Sequence, residues 1–473
     1  MEQPFVPPRP LYWPDLVNSV ARLLSDGPPV YVIGGPVRDA VRGAPLHDLD
    51  LATPGDGLAV ARYIADALGG AYYPVDPTRR TGRVILAAPG ERSSIDVASF
   101  RGPDLLSDLK GRDFTINAMA VSLAEPDRLI DPLGGYADLF EHKTLRQCSP
   151  SSLHDDPVRA VRAIRHALEL GLRIESLTRS AMRQVVPMLT DGQGRLVQPE
   201  RFRDEIFKLL AQTPRQATAL RLLNQMGILQ ALYPYPQISS WEKRIEVVER
   251  LSQLMRIISS QRDDNTAANL ILGVAVMVLD RYRAQLQEHL SRTYADERPH
   301  SVLLVLAALT PSQNTDIGYR WAEHLRLSRA ESTVLEQICS TRRFDLIGAG
   351  SPDVRFMHRY YRATGESGID GILLSLSEFL VDQGTSVTAE RWGRLLEDTA
   401  APLLEAFFRK HQQVVAPPPL VNGGELMEAL KLPPSPHIGF LLTDLLEAQA
   451  AGEIRTKKEA LDLARSLLSN LDS

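Results

Sequence analysis

A chain of 473 residues is too long for a single compact core, so about two to four domains are expected. With 23% charged and 44% hydrophobic residues it falls outside the disordered and fibrous classes, and a net charge of −5 excludes a surface that grips nucleic acid everywhere by charge alone. Any basic contact with RNA must therefore be local.

Two cysteines, Cys148 and Cys339, without metal-type spacing fit a reducing, cytoplasmic setting with no disulfide. The N-terminal "MEQPFVPPRPLYW" has no basic segment followed by an apolar core, so no secretory signal is expected. The apolar runs at 270–279 and 302–309 are shorter than the ~20 residues of a membrane span and read as buried helix.

In chain order, residues 1–147 carry short β-type runs: "VYVIGG", "AYYPV", "GRVILAA", "SSIDVASF", "NAMAVSL" and "RLIDPLGG". Each is bounded by Gly, Pro, Asp or Ser, and "GLAVARYIADALGG" among them has helical spacing. This predicts an α+β chain whose N-terminal part holds a small mixed sheet. Beyond residue 153 amphipathic helical periodicity takes over to the end, which sets a boundary near 147. The proline clusters "APPPL" and "LPPSP" are the strongest helix breakers and set off a C-terminal segment.

The chemistry starts in the stretch 31–53, "YVIGGPVRDAVRGAPLHDLDLAT". Residues one apart on a strand share a face, so Asp48 and Asp50 can point at the same ions while Leu49 faces the core. Two converging carboxylates suit Mg²⁺, and Gly34 and Gly35 ahead of a helix let backbone N–H groups approach a triphosphate. In "GRDFTINAMAV", Arg112, Asp113 and Asn117 supply a cation, an acceptor and an amide of the kind a nucleotide's phosphates and ribose need. Asp96 in "IDVASFRG" is a candidate third carboxylate on a neighbouring strand.

The helical region opens with Val158, Val161, Ile164 and Leu168 as an apolar stripe and Arg159, Arg162 and Arg165 as a polar one beside it. Asp156 before Pro157 reads first as an N-cap with proline at the first helical position. In "PERFRDEIFKLL", Arg201/Glu205 and Asp204/Lys208 read as i,i+4 pairs on a solvated helix.

Taken together, "GGPVRD", "HDLDLAT", "GRDFTINAMA", "DPLGGYADL", "DDPVRAVRAIRHALELG" and "QPERFRDEIFKLL" resemble, in order, the class II tRNA nucleotidyltransferase and bacterial poly(A) polymerase family. The resemblance is specific over residues 28–210 and weaker to the end. It implies a polymerase-β-like head (1–147), a helical neck that selects the nucleobase (148–215), a helical body (216–385) and a tRNA-binding tail (386–473). It further implies a reaction with two Mg²⁺ ions on Asp48 and Asp50. Gly34, Gly35 and Arg38 would hold the triphosphate, and Arg112, Asp113 and Asn117 the phosphates and ribose. Asp156 and Arg159, with Arg162 and Arg165 beside them, would read the Watson–Crick edge of CTP or ATP. The implied macromolecular partner is tRNA, held at its 3′ end and along its acceptor and T arms, with no membrane involved.

The chain departs from the family at four places. Gly111 stands where an Arg is frequent, and Asp155 where Glu is usual. The segment 102–110, "GPDLLSDLK", is shorter than the flexible loop that full CCA-adding members carry there, which favours a CC-adding enzyme followed by a separate A-adding one. Finally, Thr310 and Pro311 stand where some relatives end an apolar helix in a metal-binding His-Asp pair, so the body is expected to lack that hydrolase site. A poly(A) polymerase and an inactive RNA-binding relative remain the alternative readings.

Overall fold

The computed structural model describes residues 3–46, 48–88, 91–212, 215–233, 241–260, 262, 269–310, 317–341 and 351–471. His47 of "HDLDLAT" and Pro311 lie outside the described residues. The chain divides into two compact units, Met1–Glu205 with Gln225–Ala231, and Ile206–Asn224 with Leu232–Ser473.

In the first unit the β-type runs form one mixed sheet. Its strands are β1 (Tyr31–Ile33), β2 (Asp48–Thr53), β3 (Ala71–Asp76), β4 (Thr81–Ala88), β5 (Glu91–Ser99), β6 (Ala120–Ser122) and β7 (Leu129–Ile130), in the order β3-β4-β5-β2-β1-β6-β7. The β2–β5 pairing is parallel and sets Asp48 opposite Ser94 and Asp50 opposite Asp96. Alternation along β2 buries Leu49 and Leu51 while leaving Asp48 exposed, as a half-buried strand requires.

The helix Gly57–Leu68 starts where the Asp56 side chain accepts from the Leu58 N–H and stops at Gly69 in the left-handed region. Its Val60, Ala61, Ile64 and Ala65 are buried over the sheet. Gly82 on β4 permits that approach, because a Cβ there would come within 2.6 Å of the Ala61 methyl.

A second helix of this unit, Arg159–Leu170, buries Ala160, Val161, Ala163, Ile164, His166 and Ala167 and ends at Gly171. The expected apolar stripe holds for Val158, Val161 and Ile164, but Leu168 is only partly buried and the three alanines complete the packed face. Small residues let this helix sit close to its neighbours. A two-stranded pairing of Thr144–Leu145 with Arg173–Ile174, too short to leave a periodic signal, ties its far end to the preceding segment.

The described part of the second unit is helical. Trp241–Ile258 packs against Gly368–Gln383 and His300–Leu309. The run 302–309 is buried throughout, as its composition predicts. The run at 270–279 differs: the helix Leu270–Leu279 buries Ala275, Val278 and Leu279, yet Leu270 is 69% and Met277 77% exposed. A helix apolar all round is buried only where neighbours meet it, and here Trp241–Ile258 and Ala389–Arg394 cover one side.

Both proline clusters fall between helices, and Pro436 opens the helix Pro436–Ala450. The last three helices, Gly423–Leu430, Pro436–Ala450 and Lys457–Leu471, share a small core that includes Leu426, Leu441, Leu445 and Ala460. Among the described residues no helix is long and apolar enough to cross a membrane.

Candidate active site

The helix Gly35–Arg42 begins directly at the end of β1, and the turn is made by Gly34 at φ 77°. Only glycine fits there: the backbone is left-handed, and a Cβ would lie 2.8 Å from an Arg112 guanidinium nitrogen. Gly34, Gly35 and Arg38 thus form one wall of a cavity of about 310 Å³. Asp50, Arg112, Asp113 and Asn117 line the same cavity, together with Arg159, Arg162 and Arg165 from the helix Arg159–Leu170. Residues that the sequence spreads over three motifs therefore meet around one space. Asp48, Asp96 and Asp156 do not line it.

The three strand carboxylates are in different states. Asp48 accepts from the Ser94 hydroxyl at 2.6 Å, and Arg83 clasps both oxygens of Asp96 at 2.7 Å each. Burial raises the Asp50 carboxyl to about pKa 6; Asp96 and Asp48 push the same way, against the nearby Arg112. A carboxyl that resists ionising beside two others marks a place short of positive charge, and an all-oxygen donor set fits a hard divalent ion such as Mg²⁺. Arg83 went unremarked in the sequence because only the cross-strand register puts it opposite Asp96.

The rest of the cavity lining is rich in cations. Arg38, Arg101, Arg112, Arg159, Arg162 and Arg165 all face it, and burial together with Arg112 and Arg159 lowers the Arg101 pKa. Guanidinium groups crowded this way present forked donors suited to phosphate oxygens. Arg101 was missed in the sequence as a flank of the 102–110 segment.

That segment forms the helix Leu105–Lys110, capped by Asp104, whose carboxylate accepts from the Ser107 N–H at 2.8 Å and its hydroxyl at 2.7 Å. Leu105 and Leu109 are buried, and buried Asp108 accepts from the Arg101 N–H at 3.1 Å and from Arg112 at 3.2 and 3.3 Å. The short segment is thus a fixed helix that holds two of the cavity's arginines.

A polar chain crosses the cavity floor. Arg38 donates to the Asn117 carbonyl oxygen at 2.8 Å, and the Asn117 amide contacts Asp113 at 3.2 Å and His166 at 3.3 Å. Arg162 bridges Asp113 and Glu205, and Arg165 bridges Glu205 and Glu169. Burial alone would raise the Asp113 pKa, but Arg162, His166 and the Phe114 N–H hold it well below the usual carboxylate range. His166 is pushed down to about 4, chiefly by burial, and is therefore neutral near pH 7. Glu205 differs from its expected surface pairing with Arg201. It is buried and committed to Arg162 and Arg165, since the helix Pro199–Gln212 turns that face toward Arg159–Leu170.

Asp156 also departs from its first reading. The N-cap position of Arg159–Leu170 is Val158, and no side chain caps that helix. One Asp156 oxygen binds Arg201, while the other is buried without a partner. Arg159 anchors its two terminal nitrogens on the carbonyls of Ser152, Arg112 and Gly111, which leaves its Nε buried without a hydrogen bond. That Nε lies 3.5 Å from the Asp156 oxygen that Arg201 holds. One bare acceptor and one bare donor therefore sit on residues whose side chains meet.

Comparison with known proteins gives the family. The family described as "Poly A polymerase head domain" matches residues 30–146, and "Probable RNA and SrmB- binding site of polymerase A" matches 171–239. The chain is similar to the CC-adding tRNA nucleotidyltransferase of Geobacter sulfurreducens, at 30% identity over 94% of this chain and 93% of that one. It is equally similar to the A-adding tRNA nucleotidyltransferase of Deinococcus radiodurans, at 32% identity over 92% and 94%. A solved CCA-adding enzyme in complex with CTP shares the fold with a TM-score of 0.64 at 23% identity, over 98% of this chain and 97% of that one. The protein is a nucleotidyltransferase, and it belongs to the tRNA nucleotidyltransferase family of CCA-, CC- and A-adding enzymes.

Proposed function

We propose that this enzyme adds C residues from CTP to the 3′ end of tRNA and leaves the terminal A to a second enzyme. The observation that carries base selection is a pair of buried atoms that make no hydrogen bond, Asp156 Oδ1 and Arg159 Nε, the latter ion-paired with the other Asp156 oxygen at 3.5 Å. A bare acceptor beside a bare donor complements the exocyclic amine and ring nitrogen of cytosine or adenine, whereas uracil and guanine present the reversed pattern. The head and neck boundaries expected from the sequence are kept as part of this proposal, with the body and tail holding the tRNA.

Asp48 and Asp50, with Asp96 beside them, would hold two Mg²⁺ ions. When bound, such ions supply activation of the RNA 3′-hydroxyl and charge neutralisation of pyrophosphate. The chain itself would orient the nucleotide: Arg38, Arg112 and the turn at Gly34 and Gly35 on the triphosphate, Asp113 and Asn117 at the ribose, and Arg162 and Arg165 fixing the floor.

Preference for C alone rests on the helix Leu105–Lys110. Relatives of both activities are similarly close, but here the segment that would have to move for a switch to ATP is capped, buried and bound to Arg101 and Arg112. A cytoplasmic setting belongs to the same reading, supported by a sequence with two cysteines that lack metal-type spacing.

The test uses three tRNAs, ending at the discriminator base, at C and at CC, each offered CTP or ATP. Two C additions and no A addition are expected. Strong A addition to the CC-ending tRNA would overturn C-only specificity, and long A tails on unstructured RNA would favour a poly(A) polymerase.

A further inference from the structure

Outside the nucleotide cavity, the second unit holds a buried cluster with donor chemistry of its own. His289 near the end of the helix Arg283–Leu290, His300 at the start of His300–Leu309 and Asp370 in the first turn of Gly368–Gln383 converge, with potential ligand atoms all within 4.8 Å. All three residues are buried, Asp370 completely.

The geometry is that of a ligand set. Both imidazoles aim Nε2 at the same Asp370 oxygen, His289 from 3.0 Å and His300 from 2.8 Å, with ring centroids 4.7 Å apart. Each ring's other nitrogen has an oxygen on its outer side. His300 Nδ1 is 2.9 Å from the Tyr294 hydroxyl, while His289 Nδ1 lies 3.5 Å from a Glu366 oxygen without making a hydrogen bond. With the ring protons on Nδ1, facing these outer oxygens, the Nε2 lone pairs would point inward.

Two inward lone pairs facing a carboxylate oxygen repel unless a positive species lies between them. The second Asp370 oxygen is buried with no partner, a costly state for a carboxylate in the interior. One bound cation answers both features.

We propose that His289, His300 and Asp370 form a structural site for a divalent first-row transition metal, zinc by donor type, that ties three helices of the second unit together. Two imidazoles and a carboxylate are a common zinc set, and the free Asp370 oxygen or one water completes a four-coordinate shell. Ligand atoms around zinc at ~2.0–2.1 Å stand roughly 3.3 Å apart, so the cluster opens by only a few tenths of an ångström on binding. The site is independent of the His-Asp pair of the family's hydrolase members, whose position at the end of His300–Leu309 is taken by Thr310. It is also independent of nucleotide addition.

The test uses full-length, tag-free protein carrying Asp48→Ala and Asp50→Ala, so that metal in the nucleotide cavity is not counted. After stripping with chelator, the protein is dialysed against trace Zn²⁺ or Co²⁺ in excess Mg²⁺. About one zinc per chain, a rise in melting temperature, and visible absorption of the cobalt form are expected. His300→Gln and Asp370→Asn should each weaken zinc affinity about 10- to 100-fold. Because these variants can fold poorly, the parent protein decides. If it retains no zinc, shows no cobalt absorption and melts unchanged with metal, the cluster holds protons instead and the proposal fails.

Discussion

Arg162 donates to Asp113 across 3.2 Å and to Glu205 across 2.7 Å, so one guanidinium satisfies two buried carboxylates from different segments. Breaking a buried pair by removing one partner leaves uncompensated charge, a loss of about 3–5 kcal/mol. Arg162→Ala is therefore expected to lower stability by that order, measured by urea denaturation. It should also raise the KM for CTP, because Asp113 steadies Asn117. Arg162→Lys keeps the charge but loses the fork and should recover only part of either loss. A variant as stable as the parent would show that Asp113 and Glu205 find water or other donors when Arg162 is gone.

His166 gives a pH prediction with a definite sign. Its pKa falls from 6.5 to about 4 on folding, so between those values the unfolded chain binds a proton that the folded one refuses. Stability is then complete above pH 6.5 and is lost as pH falls toward 4, by roughly 3 kcal/mol in all. Asp113 and Glu205, both lowered, add their losses in a separate window below the ordinary carboxylate values. His166→Gln should flatten the melting-temperature profile between pH 6.5 and 4 while leaving the more acidic limb in place. Parallel profiles for the two proteins would exclude His166 as the source.

How much of this was legible follows from the range of each interaction. Asp48, Asp50 and the glycine turn are local patterns, and strand alternation and proline placement locate them without any tertiary knowledge. Arg162 and Arg165 could be placed on the polar face of a helix. That Arg162 is spent on Asp113 and Glu205 depends on how segments distant in sequence fold together. Asp156 shows the same limit from the other side: Asp-Pro is a fair N-cap signal, but the helix starts later, with Val158 at its N-cap, and the Asp156 carboxylate turns to the distant Arg201. His289, His300 and Asp370 have no shared spacing at all, so no periodic reading could have joined them.

Asp108 is the lever on the short helix Leu105–Lys110. Its carboxylate holds Arg112 at two nitrogens and the Arg101 N–H, and hydrogen bonds to charged groups contribute about 1.5–3 kcal/mol. Asp108→Ala frees both arginines beside the nucleotide cavity. The KM for CTP should rise roughly 10- to 100-fold, the equivalent of that energy, in steady-state kinetics. Unchanged kinetics would mean that the bound triphosphate orders Arg112 by itself.

Base choice separates the two readings of Asp156. As a structural anchor for Arg201 and Arg159 only, its removal would lower stability and leave nucleotide preference alone. As the acceptor for the exocyclic amine, its removal should cost little stability, because its partner Arg201 is half exposed and can turn to water. Discrimination should collapse instead, since a site built to bond a particular donor rejects analogues mainly by leaving its own buried groups unpaired. Asp156→Ala is expected to retain turnover while the CTP-to-UTP ratio of kcat/KM falls by about 100-fold or more, a loss of roughly 2.7 kcal/mol. Arg159→Ala should hit the same ratio and also loosen the Gly111, Arg112 and Ser152 carbonyls that its terminal nitrogens hold, so its stability should fall further than that of Asp156→Ala. An Asp156→Ala enzyme that melts lower yet keeps its full preference for CTP would leave this residue a structural anchor and move base selection to residues that line the cavity.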